Sequence, residues 1–250
     1  ATTEIYTLSL HDALPIHAEV STYSSLGPID DGRIKPDLVG DGASIFSTTS
    51  KNNTSYGTST GTSMAAPGVT GELLLLQQYA KQSFGSYIKA ATVKGLALHT
   101  ADDVGTAGPD YKMGWGVMNA MNAAKVIQNE GFTSIIEENI LLEGEEHSIN
   151  IKANGNELLL ISISWTDPEG NTVNSGILND PTKALVNDLD IRLKKDGKVF
   201  LPWRLNPKQA AAAATRGDNS VDPFERIDVA DAKGEYTLVI SHKESLTNSE

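Results

Sequence analysis

The chain has 250 residues, 39% of them hydrophobic and 21% charged, which suits one large or two ordinary globular domains. Its net charge of -12 argues against nucleic acid or an anionic membrane surface as partner and is compatible with solubility or cation binding. The absence of cysteine excludes disulfides, thiol nucleophiles and thiolate metal sites, but leaves the compartment open because many large secreted domains lack disulfides.

No apolar run approaches the ~18 residues of a membrane span. No basic segment followed by an apolar one opens the chain, so no secretory leader is expected in it. Ile5 to Leu10 alternates weakly, as a strand does. Glu4 to Ile16, however, reads like a translated sequencing adaptor, so residues 1–17 are expected to be a foreign or unstructured leader that joins no core. His11 and Asp12, being adjacent, cannot serve one serine as base and orienting group.

Asp30-Asp31-Gly32 has turn chemistry. Leu38-Val39 reads as a short buried strand, Gly40-Asp41-Gly42 as a tight turn and Ala43 to Ser47 as the next strand. The loop from Tyr56 is rich in hydroxyls and glycine and runs into an apolar stretch, Val69 to Tyr79. A helix is expected from Ser63 to about Gln82, with Pro67 tolerated in its first turn. Leu73 to Leu76 make it apolar all round, the mark of a helix enclosed in a domain. A serine at the start of such a helix is fixed by backbone and lies beside unpaired N–H groups, as an acyl-transfer nucleophile requires. The plainer alternative is a Ser/Thr loop with a helix N-cap.

Gly61-Thr62-Ser63-Met64-Ala65-Ala66-Pro67 resembles the nucleophile motif of subtilisin-like serine proteases (subtilases) over seven consecutive residues. Ser24 to Pro28 and Asp31 to Val39 are similar to the family's segment before the nucleophile, and Pro109 to Ala120 resembles its closing motif. The chain departs from the family at Leu26, at Gly40-Asp41 and at Gly68, none of them a reacting group. The resemblance implies a partial α/β subtilisin-like fold, a parallel sheet with helices, over residues 18–131. It implies Ser63 as nucleophile, with its own N–H as one oxyanion donor and Thr62 as support. The family's Asp, His and oxyanion Asn precede the serine by long intervals, and none of the 62 residues before Ser63 is a credible match.

Tyr87 to His99 has helical spacing, with His99 placed to meet the helix dipole. Asn119 is expected to cap a last helix, Ala120 to Asn129, that stops at Glu130-Gly131. An acidic linker is expected over 132–146. Beyond it the pattern turns to strands: Glu157 to Trp165, then Asp190 to Lys195 joined by the turn Asp196-Gly197 to Lys198 to Leu201, then Glu235 to Ile240. This predicts an all-β sandwich over 147–250. Trp165 to Pro168 and Leu185 to Asp190 resemble the jelly-roll domain appended to some bacterial alkaline subtilases.

Asp167, Asp188 and Asp190 are candidate ligands for a structural calcium, Asp188 and Asp190 sharing one strand face, against the plainer reading of solvated acidic residues. The chemistry itself requires no cofactor. The expected function is that of a serine endopeptidase present as an inactive part, with protein or peptide substrates, no nucleic acid, no membrane span, a monomeric state and an extracellular location implied by the resemblance. The alternatives are a binding or structural β-sandwich with a degenerate protease portion, and a complete small hydrolase with His17 as base.

Overall fold

Alternating apolar and polar residues in the second half of the chain build its largest core. The computed structural model describes residues 2–8 (backbone only), 18–155, 158–170 and 180–247. The strands before the helices are β1 (Thr2–Leu8), β2 (Ile45–Thr48) and β3 (Tyr56–Ser59), and the helices are α1 (Thr62–Phe84), α2 (Ala90–Thr100) and α3 (Ala120–Gln128). Then follow β4 (Ile136–Ile140), β5 (His147–Asn154), β6 (Leu159–Ser164), β7 (Leu189–Lys195), β8 (Lys198–Phe200), β9 (Trp203–Arg204), β10 (Thr215–Arg216), β11 (Phe224–Val229) and β12 (Lys233–His242).

Strands β11, β6, β1 and β4 form one antiparallel sheet in that order, and β5, β12, β7 and β8 form another. Between them Ile161 and Ile163 of β6, Ile227 of β11, Ile191 and Leu193 of β7 and Leu238 of β12 pack around Trp165. The Trp165 indole N–H donates to the Asn187 carbonyl at 3.0 Å, so the largest buried ring keeps its polar atom satisfied. Two antiparallel sheets around one core are a β-sandwich. The turn between β7 and β8 has Asp196 at φ 48° and Gly197 at φ 76°, the left-handed pair that a two-residue hairpin demands.

Part of the expected leader, Thr2–Leu8, and part of the expected linker, Ile136–Ile140, are strands of this sandwich. Thr2–Leu8 is an inner strand, with Ile5 opposite Ile163 on one side and Glu137 on the other. Weak alternation suffices there, because an inner position offers both backbone edges a ladder of partners. Within 132–146, Ile136–Ile140 is the edge strand β4. Its acidity has a structural use. Glu138 accepts from the Lys89 N–H at 2.8 Å and from the Thr92 hydroxyl at the start of α2, where no side chain of the N-cap itself bonds. A carboxylate at that end also meets the positive pole of the helix.

Strand β6 is buried on both faces because α2 lies across β6 and β1. Leu76 and Ala80 of α1, Leu96 of α2 and Val126 and Ile127 of α3 form a second core. A third joins Ile34, Leu98, Tyr111 and Trp115 to Phe224 of β11, with the Trp115 and Phe224 rings edge to face at 4.9 Å. The first core draws only on residues from Leu141 onward and the second only on residues up to Ile136, whereas the third crosses the boundary placed at 132–146. Among the described residues, the parallel sheet implied for the helical part is reduced to isolated bridges, of which Val39 with Val117 lies beside α1. Helix α1 is accordingly not enclosed: Leu76 is buried, but Leu74 and Leu75 are each 66% exposed.

Candidate active site

Ser63 stands in the first turn of α1, exposed to solvent. The turn is set by glycine. Gly61, at φ 155° and ψ 165°, delivers the chain to the helix start in a conformation L side chains rarely adopt, and no side chain caps the helix. The Gly61 N–H donates to the Gly42 carbonyl at 2.9 Å. A Cβ on Gly42 would lie 2.6 Å from the Gly61 carbonyl oxygen, and one on Gly40 2.6 Å from Val69, so the Gly40-Asp41-Gly42 segment approaches α1 as closely as backbone allows. Met64 and Ala65 donate back to the Gly61 carbonyl at 2.9 and 3.3 Å. Neither the hydroxyl nor the N–H of Ser63 takes a partner among the described residues. The serine thus combines a free nucleophilic atom with a free N–H at the positive end of a helix. Thr62 and Gly61 line an adjoining hollow of about 330 Å³, whose lining among the described residues includes the acidic Glu19 and Asp41 and no histidine.

The segment under this turn is held from elsewhere in the chain. Val39 donates to Gly116, and Met118 to Val39, at 2.9 and 2.8 Å, and Trp115 donates to Asp37 at 2.8 Å. Gly114, at φ 64°, threads so close that a Cβ would lie 2.1 Å from the Pro36 carbonyl oxygen. The Ile34 N–H donates to the buried Asp222 carboxylate at 2.8 Å, and Asn219 donates to its other oxygen at 3.0 Å. Burial pushes the Asp222 carboxyl up to about 6, against those two hydrogen bonds.

No described histidine serves Ser63. His99, read from the sequence as a partner of the helix dipole, is buried and shares a hydrogen bond with the Ser162 hydroxyl of β6 at 2.9 Å. His147 lies 3.9 Å from Glu137. His242 accepts from the Gly144 N–H at 2.8 Å while its other ring nitrogen meets the Glu244 carbonyl at 2.7 Å. His11, Asp12 and His17 lie outside the described residues.

The three calcium candidates are occupied by protein groups. Asp167 accepts from the N–H groups of Val186 and Asn187 at 2.7 and 2.8 Å. Asp188 pairs with Lys183 at 2.7 Å, and Asp190 with Arg192 and Lys243 at 3.1 and 3.2 Å. Strand spacing does bring Asp188 and Asp190 to the same ammonium, but a lysine head stands where a cation would, so this donor set does not fit calcium. No group of three or more His, Cys, Asp or Glu is arranged to hold a metal among the described residues. Sequence reading passed over Glu225, which is fully buried, accepts from the Ile191 N–H at 2.8 Å and is pushed well up by burial. The short alternation Ile227-Asp228-Val229 was the available signal for that strand.

Residues 13–116 match the model of the Subtilase family. The chain is 28% identical over 206 residues (69% of its length, 11% of the relative's) to the serine protease/ABC transporter B family protein tagA of Dictyostelium discoideum. It is 34% identical over 112 residues (43% and 14%) to the minor extracellular protease Vpr of Bacillus subtilis. It is 41% identical over 71 residues (28% and 6%) to an extracellular serine protease of Serratia marcescens. The chain thus spans well under a fifth of each of these relatives. No described helix is long and apolar enough to cross a membrane.

Proposed function

We propose that Ser63 is the nucleophile of a subtilisin-type serine endopeptidase that cleaves protein or peptide substrates through an acyl-enzyme. The observation that carries this is the exposed Ser63, with hydroxyl and N–H both unpartnered at a glycine-set helix start, inside a family match that spans it. A serine hydroxyl attacks a peptide carbonyl only when a base takes its proton, and the described histidines are engaged elsewhere. On this reading the base, its orienting carboxylate and the oxyanion amide, for which the 62 residues before Ser63 offer no credible match, are supplied by sequence beyond these 250 residues. The exposed leucines of α1 and the hollow of about 780 Å³ between α1 and α2, lined by Leu38, Val69, Leu73 and Val93, suit the remaining strands of the catalytic sheet. On this reading the sandwich is an appended jelly roll, the enzyme works outside the cell, as the printed names of the Bacillus subtilis and Serratia marcescens relatives say of those proteins, and acyl transfer needs no cofactor.

The protein encoded by the extended gene should hydrolyse casein, and Ser63→Ala should lower the rate by about 10⁴-fold or more. An extended protein that lacks hydrolysis altogether would contradict this function and point to a degenerate protease portion beside a binding sandwich.

A further inference from the structure

Strands β2 and β3 are joined by the loop Thr49-Ser50-Lys51-Asn52-Asn53-Thr54-Ser55, small polar residues around one lysine. Of the asparagines in the chain, only Asn52 and Asn53 stand two places before a Ser or Thr with no proline between, the pattern of an N-linked glycan acceptor. Such a loop also has a plainer use, because Ser, Thr and Asn side chains close turns by bonding to nearby backbone. Ser55 is used in that way: its hydroxyl meets the Thr49 and Asn52 carbonyls at 3.2 and 3.1 Å and accepts from the Asn52 N–H at 3.1 Å. The hydroxyl that Asn53 would need is therefore engaged. Asn52 differs. Its side-chain oxygen accepts from the N–H and the hydroxyl of Thr54 at 3.0 and 3.1 Å, so the amide and the hydroxyl of one acceptor pattern already meet. Its amide nitrogen takes no partner among the described residues, so turn chemistry accounts for the oxygen and leaves the nitrogen unused. Residues 49–54 are all exposed, and β2 and β3 form a two-stranded sheet of their own, so a group attached at Asn52 displaces no packed side chain.

We propose that Asn52 carries an N-linked oligosaccharide that covers the tip of the β2–β3 hairpin. The proposal rests on the extracellular reading, because the donor is a polyprenyl-pyrophosphate-linked oligosaccharide met along a secretory route. The Asn52 amide nitrogen bonds to the anomeric carbon of the first sugar. The bond from that carbon to the pyrophosphate oxygen breaks, the polyprenyl pyrophosphate leaves with the electron pair, and the nitrogen gives one proton to a base of the transferase. Transfer to a growing chain needs a local signal, and the contacts that shape this loop all lie within residues 49–55. A sugar there has a use. Exposed loop tips of small polar residues are preferred sites of proteolytic nicking. Strand β3 leads directly into Gly61 and Ser63, so a nick in the loop would loosen the entry to α1.

The test takes the protein extended upstream from the same gene, recovered separately from the medium and the cells of its source organism. Peptide N-glycosidase in heavy-oxygen water labels each asparagine that carried a glycan, and peptide mass spectrometry reads the position. Label at position 52 of protein from the medium is expected. Protein in the medium with position 52 unlabelled, or with label at position 53 alone, would overturn the proposal and leave the extracellular reading standing. Protein confined to the cells with position 52 unlabelled would overturn both. Secreted from yeast behind a leader, the protein should keep its sugar in Asn53→Gln and lose it in Asn52→Gln and in Thr54→Ala; sugar retained by Thr54→Ala would contradict the assignment. Removal of the sugar should speed cleavage within residues 49–55 by an added protease several-fold, and equal rates would show that the tip is not covered. Asn52→Gln should hydrolyse casein as the parent does, which keeps the result independent of catalysis.

Discussion

Arg226 donates to both oxygens of Asp228 at 3.0 and 3.2 Å and to the Leu98 carbonyl at 3.3 Å, with its guanidinium 5.0 Å from the Trp115 ring. One side chain thereby ties β11 to α2 and to the Gly114-Trp115-Gly116 turn. Burial pushes the Asp228 carboxyl up, but Arg226, the Trp203 N–H and Arg216 overrule it and hold it below the ordinary carboxylate range. Arg226→Ala would leave that carboxylate buried without its main partner and should cost about 3–5 kcal/mol in denaturant unfolding. Asp222 behaves in the opposite sense. Its folded value of about 6 exceeds the unfolded value near 4, so the folded state prefers the protonated acid. Its contribution to stability is fully present below about pH 4 and is lost as pH rises to about 6. Asp222→Asn should flatten the dependence of melting temperature on pH across that window; an unchanged slope would show that Asp222 does not titrate there. Ser63 could be found from seven contiguous residues, whereas Ile34, which donates to Asp222, and Leu98, which accepts from Arg226, lie 188 and 128 positions away and leave no local signature.

At the scale of elements, signals confined to a few residues proved sound. Asn119 accepts from the Asn122 N–H at 2.8 Å as the cap of α3, and Asp196-Gly197 forms the turn expected of it. What could not be read was where an element lies. Leu73 to Leu76 looked enclosed because nothing in a sequence tells which sheet covers a helix, and Leu74 and Leu75 face solvent. The acidic 132–146 stretch looked like a linker, yet Glu138 serves α2 and Ile136–Ile140 extends the sandwich. Strand β1 offers the sharpest test at this scale. Its position between β6 and β4 means that deleting residues 1–8 opens the edges of both. The deletion should lower the melting temperature by several degrees, and an unchanged value would show that the segment is not part of the sheet.

Over the described residues three cores form, and the third passes directly from the helical part into the sandwich. That continuity holds the Leu38 to Gly42 segment, and through it the Ser63 turn, in place, while no histidine among the described residues serves Ser63. On the proposed reading a formed nucleophile is thus separated from an unformed active site. A fluorophosphonate probe, which reacts with an activated serine, measures this separation directly. Applied to the 250-residue chain and to the protein extended upstream from the same gene, it should label Ser63 in the extended protein alone, with labelling abolished by Ser63→Ala. Labelling of Ser63 in the 250-residue chain, or its absence from the folded extended protein, would contradict the account.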